Sequence, residues 1–249
     1  MKTQSTYFAS TSMFQGTALE VMGTRLDVLI VGLQERKAYT VWGDITKEVS
    51  RLDKIFNRFD PQSEVSILNA AKGDIETSTD MKDALNLCES YLILTKRLFD
   101  ITRGGKDDLD FGGFAKGYAL RKIAIILKAA KVKDAFVNFG NSTIMGIGKH
   151  PYGDCWKVTL ENPYTEDEIE EFELRNQTLS TSGNTPEYTG HIINPFTGVA
   201  DESRRLSCVR MSDPLDAEVL STVLLIASED QKKEIGYNFK NIDARIFEL

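Results

Sequence analysis

The chain has 249 residues, of which 41% are hydrophobic and 27% are charged, so it can bury a sizeable core and has the composition of a soluble globular protein. Its net charge of -7 argues against nucleic acid as a partner, because lysine and arginine are nowhere concentrated enough to follow a phosphate backbone. No stretch of the sequence is apolar for long enough to span a membrane, and no signal peptide is visible. We therefore expect a cytoplasmic protein, or a periplasmic or membrane-anchored one if the sequence is that of a mature or truncated form.

The first hundred residues predict strands and then two helices. Residues 5–18 predict a strand and a turn, and residues 24–33 alternate between apolar and polar side chains as a strand does. Apolar side chains at helical spacing predict helices over residues 46–56 and 79–99. The apolar residues expected to place the second helix in the core are Leu85, Leu87, Tyr91 and Leu94.

Two adjacent glycines precede a third predicted helix, over residues 119–132. Gly112 and Gly113 lack Cβ, so the backbone there can adopt positive φ and a ligand can approach it closely. A glycine turn that leads into a helix offers free N–H groups and the positive end of the helix dipole to an anion such as phosphate. Taken alone, two glycines before a helix are more often a plain turn.

The second half of the chain predicts short strands and one strong helix. The predicted elements are a buried strand over residues 134–145, its hairpin partner over 155–160, a solvated acidic segment over 165–173, short strands over 179–181 and 190–193, a helix over 216–227 and a closing strand over 242–249. Strands that pair locally, interleaved with long helices, indicate an α+β protein with a mixed, mostly antiparallel sheet.

Eight short motifs occur in a fixed order along the chain. They are Met-Gly-Thr at 22–24, Ser-Glu-Val-Ser at 63–66 with Leu-Asn at 68–69, Phe-Asp-Ile-Thr at 99–102, Asp-Phe-Gly-Gly-Phe-Ala-Lys-Gly-Tyr-Ala at 110–119, Asn-Phe-Gly-Asn at 138–141, Thr-Ser-Gly-Asn at 181–184, His-Ile-Ile-Asn-Pro-Phe-Thr-Gly at 191–198 and Ala-Glu-Val-Leu-Ser-Thr at 217–222. In these motifs the chain resembles the ApbE family, the FAD:protein FMN transferases. The resemblance implies one ApbE-like domain over residues 1–249, with a two-lobed, T-fold-like architecture. It also implies an enzyme that uses Mg²⁺ to transfer FMN from FAD to a Ser or Thr hydroxyl of a partner flavoprotein, releasing AMP.

The resemblance implies a metal site on the last helix and the glycine turn. Glu218 and Thr222 are four residues apart, hence on one face of the predicted helix, with Ser221 beside them. The family pattern assigns the metal to the positions of these three residues and to an oxygen of Gly113. This chain has Glu218 where the family usually has Asp, and Ser221 at the second acidic position, so the site has fewer carboxylates. Without the family pattern, Glu218 could equally be a solvent-facing helical residue.

Flavin-binding and catalytic roles are implied at further positions. The residues implied to bind FAD are Met22 and Phe59 as apolar walls, Leu98, Phe99 and Asp100 at the adenosine side, Asp110 and Lys116 beside the phosphates, and Ser182 and Thr197 as hydroxyl donors. His191 could accept the proton of the incoming hydroxyl or bind a phosphate, although a lone histidine is more often structural.

Two further departures from the family pattern, together with those at Glu218 and Ser221, keep other functions open. Asn194 stands where the family prefers Asp, and only residues 103–109 connect Thr102 to Asp110, where the family has a much longer insertion. The chain could therefore also split FAD to FMN and AMP with water, or bind FAD without turnover. A P-loop kinase-like protein is disfavoured because the sequence has no Gly-Lys-Ser/Thr motif.

Overall fold

The computed structural model describes residues 1–71, 75–102 and 108–249. The secondary structure of these residues runs in the order β1 (Lys2–Phe8), β2 (Met13–Val21), β3 (Thr24–Val31), α1 (Glu35–Phe56), α2 (Glu64–Ala70), α3 (Thr79–Leu94), α4 (Ala115–Ala129), β4 (Asp134–Phe139), β5 (Thr143–Ile147), β6 (Trp156–Glu161), β7 (Glu168–Leu174), β8 (Gln177–Gly183), β9 (Arg205–Met211), α5 (Pro214–Ile226), α6 (Glu229–Gly236) and β10 (Asp243–Glu248). Most of the short connection over residues 103–109, which the sequence analysis identified as a departure from the family, lies outside the described residues.

The strands form one large sheet and one separate hairpin. The large sheet has the strand order β1-β2-β3-β4-β5-β8-β9-β10, and β6 pairs with β7 alone. The chain therefore builds the sheet almost in sequence order, with α1 to α4 inserted between β3 and β4. The predicted α+β class is confirmed. Within the described part of the chain every strand pairing is antiparallel, so the mixed sheet that the sequence allowed is not formed there.

The sheet separates two hydrophobic cores. Val28 and Ile30 of β3 are buried in the larger core, which contains the apolar sides of the helices. Leu29 and Val31, which point to the opposite face of the same strand, pack against the smaller core around Trp156 of the β6–β7 hairpin. The helices and the hairpin thus cover opposite faces of the sheet.

Helix α5 is buried almost throughout, and its position determines where the candidate site forms. The side chain of Asp213 caps it by accepting hydrogen bonds from the backbone N–H groups of Leu215 and Asp216, and Pro214 occupies its first turn. The helix packs against β8, β9 and α4. Gly117 allows the close approach of α4, because a Cβ at this position would lie only 2.7 Å from Cβ of Glu218 and 2.9 Å from Cα of Leu215.

Several predicted elements are confirmed, with shifted ends. Strands β3 and β10 and helix α5 lie within about two residues of their predicted ranges, and residues 5–18 fall in the β1–β2 hairpin. Helix α1 begins at residue 35 instead of 46, α3 ends at 94 instead of 99, and α4 begins at 115 instead of 119. The helices α2 and α6 and the strand β9 were not predicted. Among residues 1–71, 75–102 and 108–249, no helix combines the length and the apolar character needed to cross a bilayer.

Three predictions about strands are wrong. Residues 134–145 form two strands, β4 and the start of β5, because the chain reverses at Gly140 and Asn141, which both have positive φ. Strand β6 pairs with β7, not with the strand before it. The acidic segment, predicted to be a solvated face or loop, forms β7, in which the exposed Glu171 and Glu173 alternate with the buried Phe172 and Leu174. Residues 190–193 form no strand, only an isolated bridge from Ile193 to Ala200.

The buried face of α3 differs from the predicted one. Its fully buried residues are Met81, Ala84, Cys88 and Tyr91. Of the predicted core residues only Tyr91 is therefore fully buried, and Leu85, Leu87 and Leu94 are half-buried. The helix is apolar over more than one face, so its sequence does not specify which face turns inward.

Candidate active site

A buried carboxylate lies at the junction of α4, α5 and the sheet. The side chain of Glu218 is only 4% exposed, and its Oε1 accepts a hydrogen bond of 2.6 Å from Nζ of Lys116 on α4. Its Oε2 accepts hydrogen bonds from the hydroxyl of Ser180 at 3.1 Å and from that of Thr143. The carboxylate is thus paired with one cation and two hydroxyl groups, as a buried charge requires.

A chain of hydroxyl groups continues from this carboxylate along α5. Oγ of Ser221 donates to the backbone carbonyl of Glu218 at 2.9 Å and lies 2.8 Å from Oγ of Ser182 on β8. Oγ of Ser182 lies in turn 3.1 Å from Oγ1 of Thr222. The structure therefore brings together Ser182, Ser221 and Thr222 with the Lys116–Glu218 pair, and all five were candidate site residues in the sequence.

The glycine turn meets the outer end of this chain of hydroxyl groups. A Cβ on Gly113 would lie 3.4 Å from Oγ1 of Thr222 and 3.8 Å from the ring of Phe99. Gly112 and Gly113 are not among the residues with positive φ, so that expectation is wrong. The glycines instead provide room for neighbouring groups. A Cβ on residue 112 would lie 3.2 Å from Oδ1 of Asp110, which accepts a hydrogen bond from the Gly112 N–H.

Asp110 connects the turn to an exposed aromatic ring. Its Oδ2 lies 2.5 Å from Nη1 of Arg58, and the guanidinium of Arg58 lies over the ring of Phe59 at 5.1 Å from the ring centre. Phe59 is 79% exposed. Arg58 was not assigned a role from the sequence, because a surface arginine beside an aromatic residue carries no signal of its long-range partner.

The Ser-Glu motif supports the turn from behind. Ser63 caps α2, and the carboxylate of Glu64 accepts hydrogen bonds of 2.6 and 2.7 Å from the backbone N–H and hydroxyl of Ser78, the cap of α3. The side-chain amide of Asn69 exchanges two hydrogen bonds, 2.8 and 3.0 Å long, with the backbone of Leu109. The motif therefore fixes the chain immediately before Asp110.

The model of the ApbE family matches residues 22–108 and 103–246, most of the chain. The chain belongs to the ApbE family. The two matched segments meet at residues 103–108, where the sequence analysis located the shortened connection.

Two curated relatives of this ApbE family member are named FAD:protein FMN transferase. The relative from Klebsiella pneumoniae (strain 342) is 27% identical over 127 residues, which is 47% of this chain and 38% of the relative. The relative from Rhodobacter capsulatus is 29% identical over 136 residues, which is 51% of this chain and 26% of the relative. The matched part of the chain thus spans well under half the length of each.

The fold is shared with a solved ApbE structure over almost its whole length. The flavin transferase ApbE from Vibrio cholerae superposes with a TM-score of 0.79, and the match covers 94% of this chain and 93% of that one. The two sequences are 17% identical, so this comparison supports the architecture and not the roles of individual residues.

His191 of this ApbE family member lies on the loop after β8. Its ring stacks on that of Tyr188 with ring centres 4.1 Å apart, and its Nδ1 is buried with no hydrogen-bond partner in the described part of the chain. Burial lowers the pKa of His191 below its usual value, and the positive charge of Lys116 lowers it further. The imidazole is therefore neutral near pH 7 and lies within the electrostatic influence of Lys116.

The remaining candidate residues make local contacts that do not decide their roles. Met22 has a φ of 47°, and its N–H donates to Asp53 at 2.9 Å. Leu98 is only 3% exposed, and the carboxylate of Asp100 accepts hydrogen bonds from the N–H and hydroxyl of Thr102. Thr197 is exposed on the His191 loop, where its hydroxyl accepts from the N–H of Val199. Their roles in binding stay predictions.

Sequence reasoning missed two members of the site, Thr143 and Ser180. Both are fully buried hydroxyl-bearing residues on neighbouring strands, and both donate to Glu218. A useful signal was available: polar residues at the inward positions of strands are costly to bury unless they have a partner, and an inward carboxylate on α5 is such a partner.

Proposed function

We propose that this protein transfers FMN from FAD to a serine or threonine hydroxyl of a partner flavoprotein, using Mg²⁺ and releasing AMP. The observation that carries the proposal is the convergence of Gly113, Lys116, Glu218 and the hydroxyls of Ser182 and Thr222 at one point of an ApbE fold. The curated relatives, named FAD:protein FMN transferases, support the same reaction.

The donor set at the cluster fits Mg²⁺ that is shared with a substrate. Glu218 offers one carboxylate, Ser221 and Thr222 offer hydroxyl oxygens, and the Gly113 backbone lies beside Thr222. Proteins commonly hold Mg²⁺ with one or two carboxylates plus substrate phosphates and water. Among the described residues no three His, Cys, Asp or Glu side chains form a metal-binding group, which favours such a shared site over one built by protein alone. When bound, the ion would neutralise charge that develops on the pyrophosphate as AMP leaves.

Protein groups around the cluster are suited to holding the pyrophosphate. Lys116 supplies a positive charge in the first turn of α4. The cap residue of this helix, Phe114, makes no side-chain capping hydrogen bond. The N–H of Ala115 donates to the carbonyl of Phe111, and the other first-turn N–H groups would be offered to a phosphate. The ion pair with Arg58 holds Asp110 in the glycine turn that precedes these N–H groups.

His191 is suited to accept the proton of the acceptor hydroxyl. Its pKa is lowered by burial and by Lys116, so the neutral base predominates at neutral pH. The transfer then requires that the hydroxyl oxygen attack the phosphorus next to riboflavin, that the P–O bond to AMP break, and that the proton pass to the imidazole.

Apolar groups on either side of the turn would bind the two ends of FAD. We assign the exposed ring of Phe59, with Met22, to the flavin, because an aromatic face can stack on the isoalloxazine rings. We assign Phe99, with Leu98 and Asp100, to the adenosine side, because the Phe99 ring lies next to the Gly113 turn. Thr197 would contribute its hydroxyl from the His191 loop.

The test is to incubate the purified protein with FAD, with and without Mg²⁺, and with and without a flavoprotein fragment that carries an acceptor threonine. AMP that appears only with Mg²⁺ and acceptor, together with covalent flavin on the fragment, supports the transferase. FMN and AMP released without the acceptor would instead indicate the hydrolytic alternative. FAD binding without AMP would indicate a binding module.

A further inference from the structure

The Lys116–Glu218 ion pair uses the same carboxylate that the proposed function assigns to the cation. The ammonium and carboxylate groups are 2.6 Å apart, and the two side chains are 21% and 4% exposed. Ser180 and Thr143 donate to the other carboxylate oxygen, Oε2. Both oxygens of Glu218 therefore have protein donors.

A divalent cation cannot bind this carboxylate without affecting the lysine. An ammonium and a divalent ion on one buried carboxylate repel each other strongly, because a water-poor environment screens their charges weakly. Because α4 and α5 are in close contact at Gly117, the ammonium can leave Glu218 only by rotation of the lysine side chain, not by a movement of the helices apart. The ammonium therefore has to bind another anion before the carboxylate is available to the cation.

We propose that Lys116 acts as an internal counter-ion that weakens divalent-cation binding at Glu218 until a pyrophosphate group attracts the ammonium away. The inference rests on the proposed function in taking Glu218 as the metal carboxylate and a pyrophosphate as the substrate group. It predicts that cation and dinucleotide bind cooperatively, each tightening the other by the same factor. The protein would then carry a metal mainly when its substrate is present.

The test measures Mn²⁺, a paramagnetic substitute for Mg²⁺, binding to the nucleotide-free protein by electron paramagnetic resonance. Lys116→Gln should bind Mn²⁺ about tenfold more tightly than the unmodified protein, within the usual range of such coupling. Lys116→Arg keeps the positive charge and should bind as weakly as the unmodified protein. Lys122→Gln is the matched control, because it removes the same charge from the same helix at a residue paired with Asp80 and not with Glu218.

If Lys116→Gln binds Mn²⁺ no more tightly than Lys122→Gln, the inference is overturned. Thermal unfolding of each variant checks that it is folded. If Lys116→Gln does not fold, the test uses the unmodified protein, and FAD binding is measured by flavin anisotropy. Mn²⁺ should then increase the affinity for FAD about tenfold, and an unchanged affinity overturns the inference.

The outcomes separate this inference from the proposed function. Tighter Mn²⁺ binding by Lys116→Gln in a protein that never releases AMP from FAD would support the counter-ion and refute the transferase. If the protein transfers FMN from FAD but its Mn²⁺ affinity is the same with and without the Lys116 charge, the transferase is supported and the counter-ion role is refuted.

Discussion

Replacing Gly117 by alanine tests the contact on which the candidate site is built. In most helices this change is stabilising by about 0.5–1 kcal/mol, because glycine loses more backbone freedom on folding. Here the new Cβ would lie 2.7 Å from Cβ of Glu218, 2.9 Å from Cα of Leu215 and 2.9 Å from the carbonyl oxygen of Pro214. Two of these atoms belong to the backbone of α5, so the helices have to move apart. Overpacking of this kind costs about 1–3 kcal/mol. Three contacts below 3.0 Å favour the upper end of this range, and subtracting the gain in backbone entropy leaves an expected net destabilisation of about 2 kcal/mol.

The assay is thermal and urea unfolding of Gly117→Ala beside Gly43→Ala. Gly43 lies inside α1, and no atom of the described residues comes within 4 Å of a Cβ at that position, so its replacement should stabilise the protein by about 0.5–1 kcal/mol. For a chain of this size, the Tm should fall by about 4–8 °C in the first variant and rise by about 1–4 °C in the second. A Gly117→Ala protein at least as stable as Gly43→Ala would refute the close helix contact.

Three further variants or titrations test the surroundings of the site. Thr143→Val removes a hydroxyl that donates to the buried Glu218 carboxylate, so urea unfolding should show a loss of about 1.5–3 kcal/mol; an unchanged midpoint would contradict this contact. Tyr91→Phe removes the 2.5 Å hydrogen bond to Asp216, whose pKa is raised by burial. Its cost should be about 2 kcal/mol at neutral pH and shrink as the pH falls and Asp216 becomes protonated, and an equal cost at neutral and acidic pH would count against a charged Asp216. For His191 the folded-state pKa is lowered, so its contribution to stability is complete above about pH 6.5 and lost as the pH falls. NMR titration should therefore give a pKa below 6.5 for His191, and a value at or above 6.5 would refute its burial.

Sequence patterns predicted those parts of the fold that depend on local periodicity. The alternation in β3 and the apolar stretch in α5 are complete within one element, so each predicted its own burial. The pairing of β6 with β7 was not predictable in this way, because it depends on contacts between segments. A period-2 pattern indicates a strand but not the strand with which it pairs. Strand β7 was not predicted, because its glutamates indicated a solvated segment although Phe172 and Leu174 alternate with them.

The candidate site was likewise predicted in part, where motifs identify its residues, and not where it depends on contacts between distant segments. The family motifs predicted Lys116, Glu218 and Thr222, which the fold brings to one place from different elements. They did not predict that Glu218 is held by Thr143 and Ser180, because single hydroxyl residues in strands have no sequence signature of a distant carboxylate. Nor did the motifs reveal that the lysine and the glutamate pair with each other.

The measurement that tests the proposed function most directly is intact-mass analysis of an acceptor flavoprotein fragment after incubation with this protein, FAD and Mg²⁺. We expect one covalently attached FMN per acceptor threonine and an equal amount of AMP, and we expect both to be lost when Mg²⁺ is chelated or when the Glu218→Gln variant is used. An acceptor that gains flavin equally well with Glu218→Gln, or that gains none although FAD is bound, would contradict it.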